Sequence, residues 1–158
     1  MELLHLLYKM NIKTALYKQC ETYVDKRLQT VQEIITSNQK ALQSETKSSA
    51  GDKHETGRAM LQLEMEKAGQ QLQSITQMKE TLAKVDVSKT SKTAHLGSVI
   101  ITNAMNYFLS ISAGKLTACG ENYYAISASS PIGKMLLGKQ ENEGFSFNGI
   151  QFKIIEIN

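Results

Sequence analysis

Apolar residues recur at spacings of 4, 3, 4 and 7 along Val24, Leu28, Val31, Ile35 and Leu42. A second run, Leu61, Met65, Ala68, Leu72, Ile75 and Leu82, follows 4, 3, 4, 3 and 7. Both are heptad-type seams with Gln, Lys, Glu and Thr at the intervening positions, the pattern of helices that pack along a narrow stripe. Asn38 and Lys79 interrupt the seams. A narrow stripe needs a partner, and the simplest partner is the other helix folded back as an antiparallel hairpin. Residues 44–58 then form the hairpin tip. At 1.5 Å of rise per residue, a 30-residue arm is roughly 45 Å long.

The pattern changes at "VSKTSKTAHLG" (87–97), where Ser, Thr and Lys read as a linker. Beyond it the period falls to two: "SVIIT" (98–102), "YFLSIS" (107–112), "NYYAIS" (122–127) and "IQFKIIEI" (150–157) predict short strands. In "SSPIGKMLLG" (129–138), Ser130 suits a helix N-cap, Pro131 the first helical position and Gly138 the C-terminal cap, so a short helix lies against the sheet. Asn148-Gly149 favours a tight hairpin turn. Tyr123 and Tyr124 are adjacent, which on a strand sends one to the core and the other outward. The predicted class is α+β, with a helical coiled-coil hairpin over 1–87, a linker over 88–96 and a small antiparallel β domain with one short helix over 97–158.

Composition narrows the function classes. The 158 residues carry a net charge of +3, and neither part is a charged tail: residues 1–88 hold 12 basic and 11 acidic side chains, residues 89–158 hold 6 and 4. That is too mild to argue nucleic-acid binding from charge. Cys20 and Cys119 form no CxxC pair and read as free thiols, with a single disulfide as the alternative. No apolar run reaches the roughly 18 residues a membrane span needs. The opening "MELLHLLYKM" lacks the basic start and small-residue cleavage site of a leader, so it reads as a helix start or an extension. The expected location is the cytoplasm. No Walker loop, HExxH or GxSxG occurs.

The tip carries the most distinctive chemistry. In "SSAGDKHETGRAM" (48–60), Asp52 and Glu55 are three apart and share roughly one face of a helix's first turn. One reading is a capping box, in which the side chains satisfy free backbone N–H groups and the charge complements the helix dipole; Ser49 with Asp52 is an alternative box. The other reading is a carboxylate pair delivered into another protein's active site, where a divalent ion such as Mg²⁺ takes one or two of its oxygens. His54 lies between the two acids, and Lys47, Lys53 and Arg58 surround them.

Two stretches together carry a family resemblance. "GDKHET" (51–56) is similar to the Gly-Asp-x-x-Glu-Asn tip of Gre-type bacterial transcript cleavage factors. "YYAISASSPIGKMLLGKQENEGFSFNGIQFKIIEI" (123–157) resembles their C-terminal domain, through Ile126, Ser127, Ser130, Pro131, Ile132, Gly133, Leu136, Leu137, Gly138 and Lys139. The resemblance implies an antiparallel coiled coil joined to an FKBP-like domain, and binding at the secondary channel of bacterial RNA polymerase. The tip acids Asp52 and Glu55 would assist the polymerase's Mg²⁺ in hydrolysing backtracked RNA, meeting the nascent RNA 3′ end only indirectly. It carries a partner-binding role to Ser130, Pro131, Ile132, Gly133 and Lys134. The factor itself is then no enzyme, holds no cofactor stably when alone, shares Mg²⁺ with the polymerase in the complex, and acts as a monomer rather than a dimer, away from membranes.

The sequence also departs from that pattern. Thr56 stands where the family has Asn, and Gly57, Arg58 and Ala59 occupy the region of its usual aromatic. Residues 95–121 match poorly. Two alternatives therefore stand beside a cleavage factor: a secondary-channel regulator that does not stimulate cleavage, and a coiled-coil adaptor unrelated to transcription.

Overall fold

The computed structural model describes residues 1–47 and 52–158, with the side chains of 45–47 and 52–54 outside the description. Helix α1 runs Glu2–Lys47 and α2 runs Asp52–Ala83. Six strands follow: β1 Val99–Thr102, β2 Asn106–Ser110, β3 Gly114–Ala118, β4 Glu121–Ser127, β5 Gly144–Phe147 and β6 Ile150–Ile157, with helix α3 (Pro131–Leu136) between β4 and β5. The architecture is α+β. The chain divides into two compact units, one of Met1–Tyr23 with Glu80–Asn158 and the other of Val24–Lys79.

The unit over Val24–Lys79 is a helical hairpin whose interior is the heptad seam. Val24, Val31, Ala68 and Ile75 are buried, and Leu28, Ile35, Leu42, Leu61, Met65 and Leu72 are half-buried. Asn38 sits inside the seam at 7% exposure and donates to the Glu64 carboxylate at 3.1 Å. A polar residue at such a position costs stability and selects one register. Lys79, expected to interrupt the second seam, is exposed, and half-buried Met78 takes the inward position instead. Stepping by 3 and then 4 from Ile75 through Met78 to Leu82 keeps the apolar stripe on one face.

The second unit is built on a six-stranded sheet in the order β3-β4-β2-β1-β6-β5. All neighbours are antiparallel except β2 and β4, which run parallel. The parallel pair arises because the β3–β4 hairpin places β4 between β2 and β3. Its turn is Cys119-Gly120, both at positive φ, and the β5–β6 turn is Asn148-Gly149 at φ 50° and 77°, the paired left-handed geometry that two-residue hairpins prefer.

Side chains alternate across this sheet. One face holds Ile100, Tyr107, Leu109, Phe152 and Ile154, packed with Ala94, Leu136, Phe145 and Ile157. The Phe145 and Phe152 rings stack at 4.9 Å. The opposite face, with Val99, Phe108, Ser110, Tyr123 and Ala125, is also buried. The start of α1 covers it: Ile12, Leu16 and Cys20 are at most 8% exposed, and Cys20 Sγ lies 3.7 Å from Ser110 Oγ. Tyr123 and Tyr124 therefore do face opposite ways, but neither points into solvent. Tyr124 packs on the first cluster, while Tyr123 is 3% exposed beneath α1.

Polar ties fix α1 in place. Gln19 makes a two-point contact with the Thr117 main chain, its amide donating to the carbonyl at 2.8 Å and its oxygen accepting from the N–H at 3.3 Å. Thr117 lies on edge strand β3, so this side chain occupies backbone groups that would otherwise be free to template another strand. Lys13, 1% exposed, donates to the Lys89 carbonyl at 2.6 Å. Tyr17 donates to the Leu82 carbonyl at 3.1 Å. Residues 88–96 contain no helix or strand, yet Ala94 is buried and bonded through its backbone to Gly138 and Lys139. Met1, Leu3, Leu4, Leu6 and Leu7 at the start of α1 are exposed. Among the described residues no helix is long and apolar enough to cross a membrane.

Candidate functional site

The turn end of the hairpin is where the sequence concentrates its candidate chemistry. Helix α2 opens at Asp52, so Asp52 and Glu55 both belong to its first turn, a spacing that puts i and i+3 on one face. Glu55 is exposed. The side chains of Asp52, Lys53 and His54, the side chain of Lys47 and the whole of 48–51 lie outside the described residues, and with them the choice between the two capping boxes. Thr56 is exposed, and Gly57 and Arg58 are half-buried. Negative charge here is favoured by the helix dipole whatever else it does, typically by about 0.3–1 kcal/mol. Two carboxylates supply hard oxygen ligands that suit Mg²⁺, but fewer than the roughly six that its octahedral shell takes. A second partner would have to complete the site. Among the described residues no three His, Cys, Asp or Glu side chains come together as a metal site.

The second candidate region is the start of α3. Ser130 is its N-cap, with Oγ accepting from Gly133 N at 3.1 Å and donating to Ser127 O at 2.6 Å. Pro131 follows at the first helical position, where its missing N–H costs nothing. Gly133 is needed for space: a Cβ there would lie 1.9 Å from Ser127 O. Gly138 ends the segment at φ +82°, a left-handed position that glycine adopts without strain. Ser130 and Gly133 are thus occupied in building the turn. Pro131 and Lys134 are exposed, Ile132 is half-buried, and Leu137 just beyond is 50% exposed. Any partner contact at α3 falls to these outward side chains.

Titratable groups away from these regions are perturbed by burial. The Lys13 ammonium is lowered to about 8 by burial, which outweighs the nearby Asp86 carboxylate. Burial pushes the Cys20 thiol up to about 11, against a smaller opposing effect of the Ser110 hydrogen bond. A thiol held protonated in this way is no nucleophile. Cys119 is exposed, and both cysteines are free.

One further group of polar residues has no local signature in the sequence. Tyr8 and Lys9 of α1, Glu121 and Tyr123 of β4 and Glu156 of β6 line a cavity within the sheet-bearing unit. The signal that α1 reaches the sheet was present as Ile12, Leu16, Cys20 and Val24, spaced by four ahead of the seam. No protein-family model matches the chain, and no curated protein matches its sequence.

Proposed function

We propose that the chain is a transcription factor of the Gre type, entering the secondary channel of bacterial RNA polymerase and stimulating cleavage of backtracked RNA. The observation that carries this reading is an acidic first turn, Asp52 with exposed Glu55, at the turn end of a helical hairpin joined to a small β domain. Support also comes from the "SPIGKMLLGK" segment, which forms a capped helix beside β4. In the complex Asp52 and Glu55 would hold Mg²⁺ together with the polymerase, and the ion would supply an activated water for phosphodiester hydrolysis. The hairpin contributes position: two carboxylates carried on a helix end are fixed relative to each other, and a solvated pair of this kind binds the metal weakly until the partner completes its shell. Pro131 and Lys134 are the residues of α3 available to the polymerase. The compartment is the cytoplasm, where that partner works.

The test is an RNA-cleavage assay on stalled, backtracked elongation complexes. Wild-type protein is expected to accelerate Mg²⁺-dependent cleavage, and Asp52→Asn/Glu55→Gln to abolish the acceleration while still binding polymerase. Wild type without effect, or a double variant with full activity, refutes the acidic-tip mechanism. A second reading, a channel-binding regulator that does not stimulate cleavage, is favoured by Thr56, Gly57, Arg58 and Ala59 standing where the family has Asn and an aromatic. It gives polymerase binding and competition with other channel binders, but no cleavage.

A further inference from the structure

We infer that the start of α1 is a self-association surface, on which a second copy of this chain packs its own α1 start about a two-fold axis. Leu3, Leu4, Leu6, Leu7 and Tyr8 are 69, 73, 43, 47 and 49% exposed. They sit within about two turns of helix. Four of the six residues from 3 to 8 are leucine, so this stretch is apolar nearly all round rather than along one stripe. A helix of that kind is normally a buried one.

The sheet-bearing unit does not bury it. Ile12, Leu16 and Cys20 are the α1 side chains packed on the sheet. At about 100° of turn per residue, Leu3, Leu4 and Leu7 fall on the side of the helix away from those three. The exposed area then measures the interface. At roughly 180 Å² for a fully exposed large apolar residue, the five side chains present on the order of 500 Å² per chain. Two copies together cover on the order of 1,000 Å², the lower bound for a specific interface. The area therefore suits a weak dimer, not an obligate one.

Charge selects the occupant. Across a two-fold axis the same patch meets itself, so a patch carrying one sign of charge repels its copy. Residues 3–8 hold no carboxylate, lysine or arginine, and the patch can face itself without that cost. A lipid surface asks for something else: free basic side chains flanking the apolar ones. The two lysines among the first 13 residues are both engaged within the unit. Lys9 pairs with the Glu156 carboxylate, and Lys13 donates to the Lys89 carbonyl. A two-fold pairing also closes after two copies and leaves no patch open for a third. The dimer departs from the monomer that the Gre resemblance implies, and it is independent of the acidic tip. In dilute solution the chain is a monomer.

Sedimentation equilibrium of the full-length chain, from about 5 to about 500 µM, reads the association directly. The expected result is a monomer–dimer equilibrium with Kd on the order of 100 µM, in keeping with so small an interface. Leu4→Glu/Leu7→Glu is expected to weaken it by about tenfold or more, since it sets like charges against each other across the axis. Both leucines are exposed in the single chain, so the variant's melting temperature at low concentration should match that of the wild type. A second measurement needs no variant. In the ¹⁵N-labelled wild type, the amide resonances that move between dilute and concentrated samples are expected to cluster on residues 3–8. A wild type that stays monomeric throughout, a double variant that dimerises as well as the wild type, or concentration-dependent shifts centred elsewhere would each overturn the assignment. So would a monomeric wild type that sediments with phosphatidylcholine–phosphatidylglycerol vesicles when the double variant does not, which gives the surface to lipid instead.

Discussion

Replacing Lys13 by Met tests how a charged group is carried in an apolar interface. Lys13 is 1% exposed, and its ammonium is lowered to about 8. The drop from 10.5 to about 8, at ~1.4 kcal/mol per pH unit, puts a ceiling of about 3–4 kcal/mol on the cost of burying the charged form. Below pH 8 folded and unfolded chains both hold the proton, and the full cost is present. Between 8 and 10.5 the folded chain releases it while the unfolded chain keeps it. The unfolded state then binds more protons, so this residue's contribution to stability rises with pH. Integrated from pH 7.5 to 9.5, the relief is about 2 kcal/mol. Cys20, pushed up to about 11 by burial, acts oppositely over the same range, because its unfolded thiol ionises first. The wild-type curve alone therefore mixes two effects, and the difference between wild type and Lys13→Met isolates one. Met keeps the length of the side chain and drops the charge. It gives up the bond to the Lys89 carbonyl, which water can replace because Lys89 is exposed. Urea unfolding followed by the near-ultraviolet tyrosine signal at pH 7.5, 8.5 and 9.5 should find Lys13→Met about 2 kcal/mol more stable at the lowest pH and level with the wild type at the highest. Parallel stability curves, or a variant weaker than the wild type at every pH, would refute the reasoning.

Other expected outcomes follow from single contacts. Gly133→Ala forces a Cβ to within 1.9 Å of Ser127 O and is expected to cost about 3 kcal/mol or more in chemical unfolding, whereas Lys134→Ala, exposed beside it, should stay within about 0.5 kcal/mol. Titration with a thiol-disulfide reagent at pH 8 should find one fast thiol, exposed Cys119, with buried Cys20 reacting only after denaturant is added; two equally fast thiols contradict the packing of Cys20 on Ser110. Asn38→Leu fills the seam with an apolar side chain and frees exposed Glu64 to water. It should raise the hairpin's stability by about 1 kcal/mol and loosen the choice of register and oligomer, read as a dimer fraction by light scattering; an unchanged monomer that melts lower would show that Asn38 is net stabilising.

The parts of the fold legible in the sequence are those fixed by short-range periodicity. Val24 to Leu42 and Leu61 to Leu82 fall where heptad spacing places them, Ser130-Pro131 starts a helix as capping chemistry requires, and Asn148-Gly149 turns. Strands β3 (GKLTA) and β5 (GFSF) carry no such signal. Each is only four or five residues long, with one or two buried side chains, too few for a period to register. The insertion of β4 between β2 and β3 is a long-range choice that no local pattern encodes. Lys79 was expected to interrupt the seam because it lies four residues beyond Ile75; Met78, three beyond, was equally available and is the more apolar. At the candidate site, the placing of Asp52 and Glu55 on one helical turn was legible because capping rules are local. The cavity was not, because Tyr8, Lys9, Glu121, Tyr123 and Glu156 become neighbours only after α1 is laid across the sheet.

That covering of the sheet by α1 has a consequence for synthesis. Ile12, Leu16 and Cys20 leave the ribosome well before the strands that bury them, which begin at Val99, and Glu156, the partner of Lys9, is made 147 residues after it. At about 5–20 residues per second, the apolar stripe waits some seconds to half a minute before β1 to β6 exist to receive it. Until then its available occupants are other nascent chains and chaperones. Such distant pairings also make for slow folding, since the loop must close before the contact rewards it. The sheet-bearing unit is thus assembled from segments made before and after the hairpin of Val24–Lys79, which is free to form in the interval.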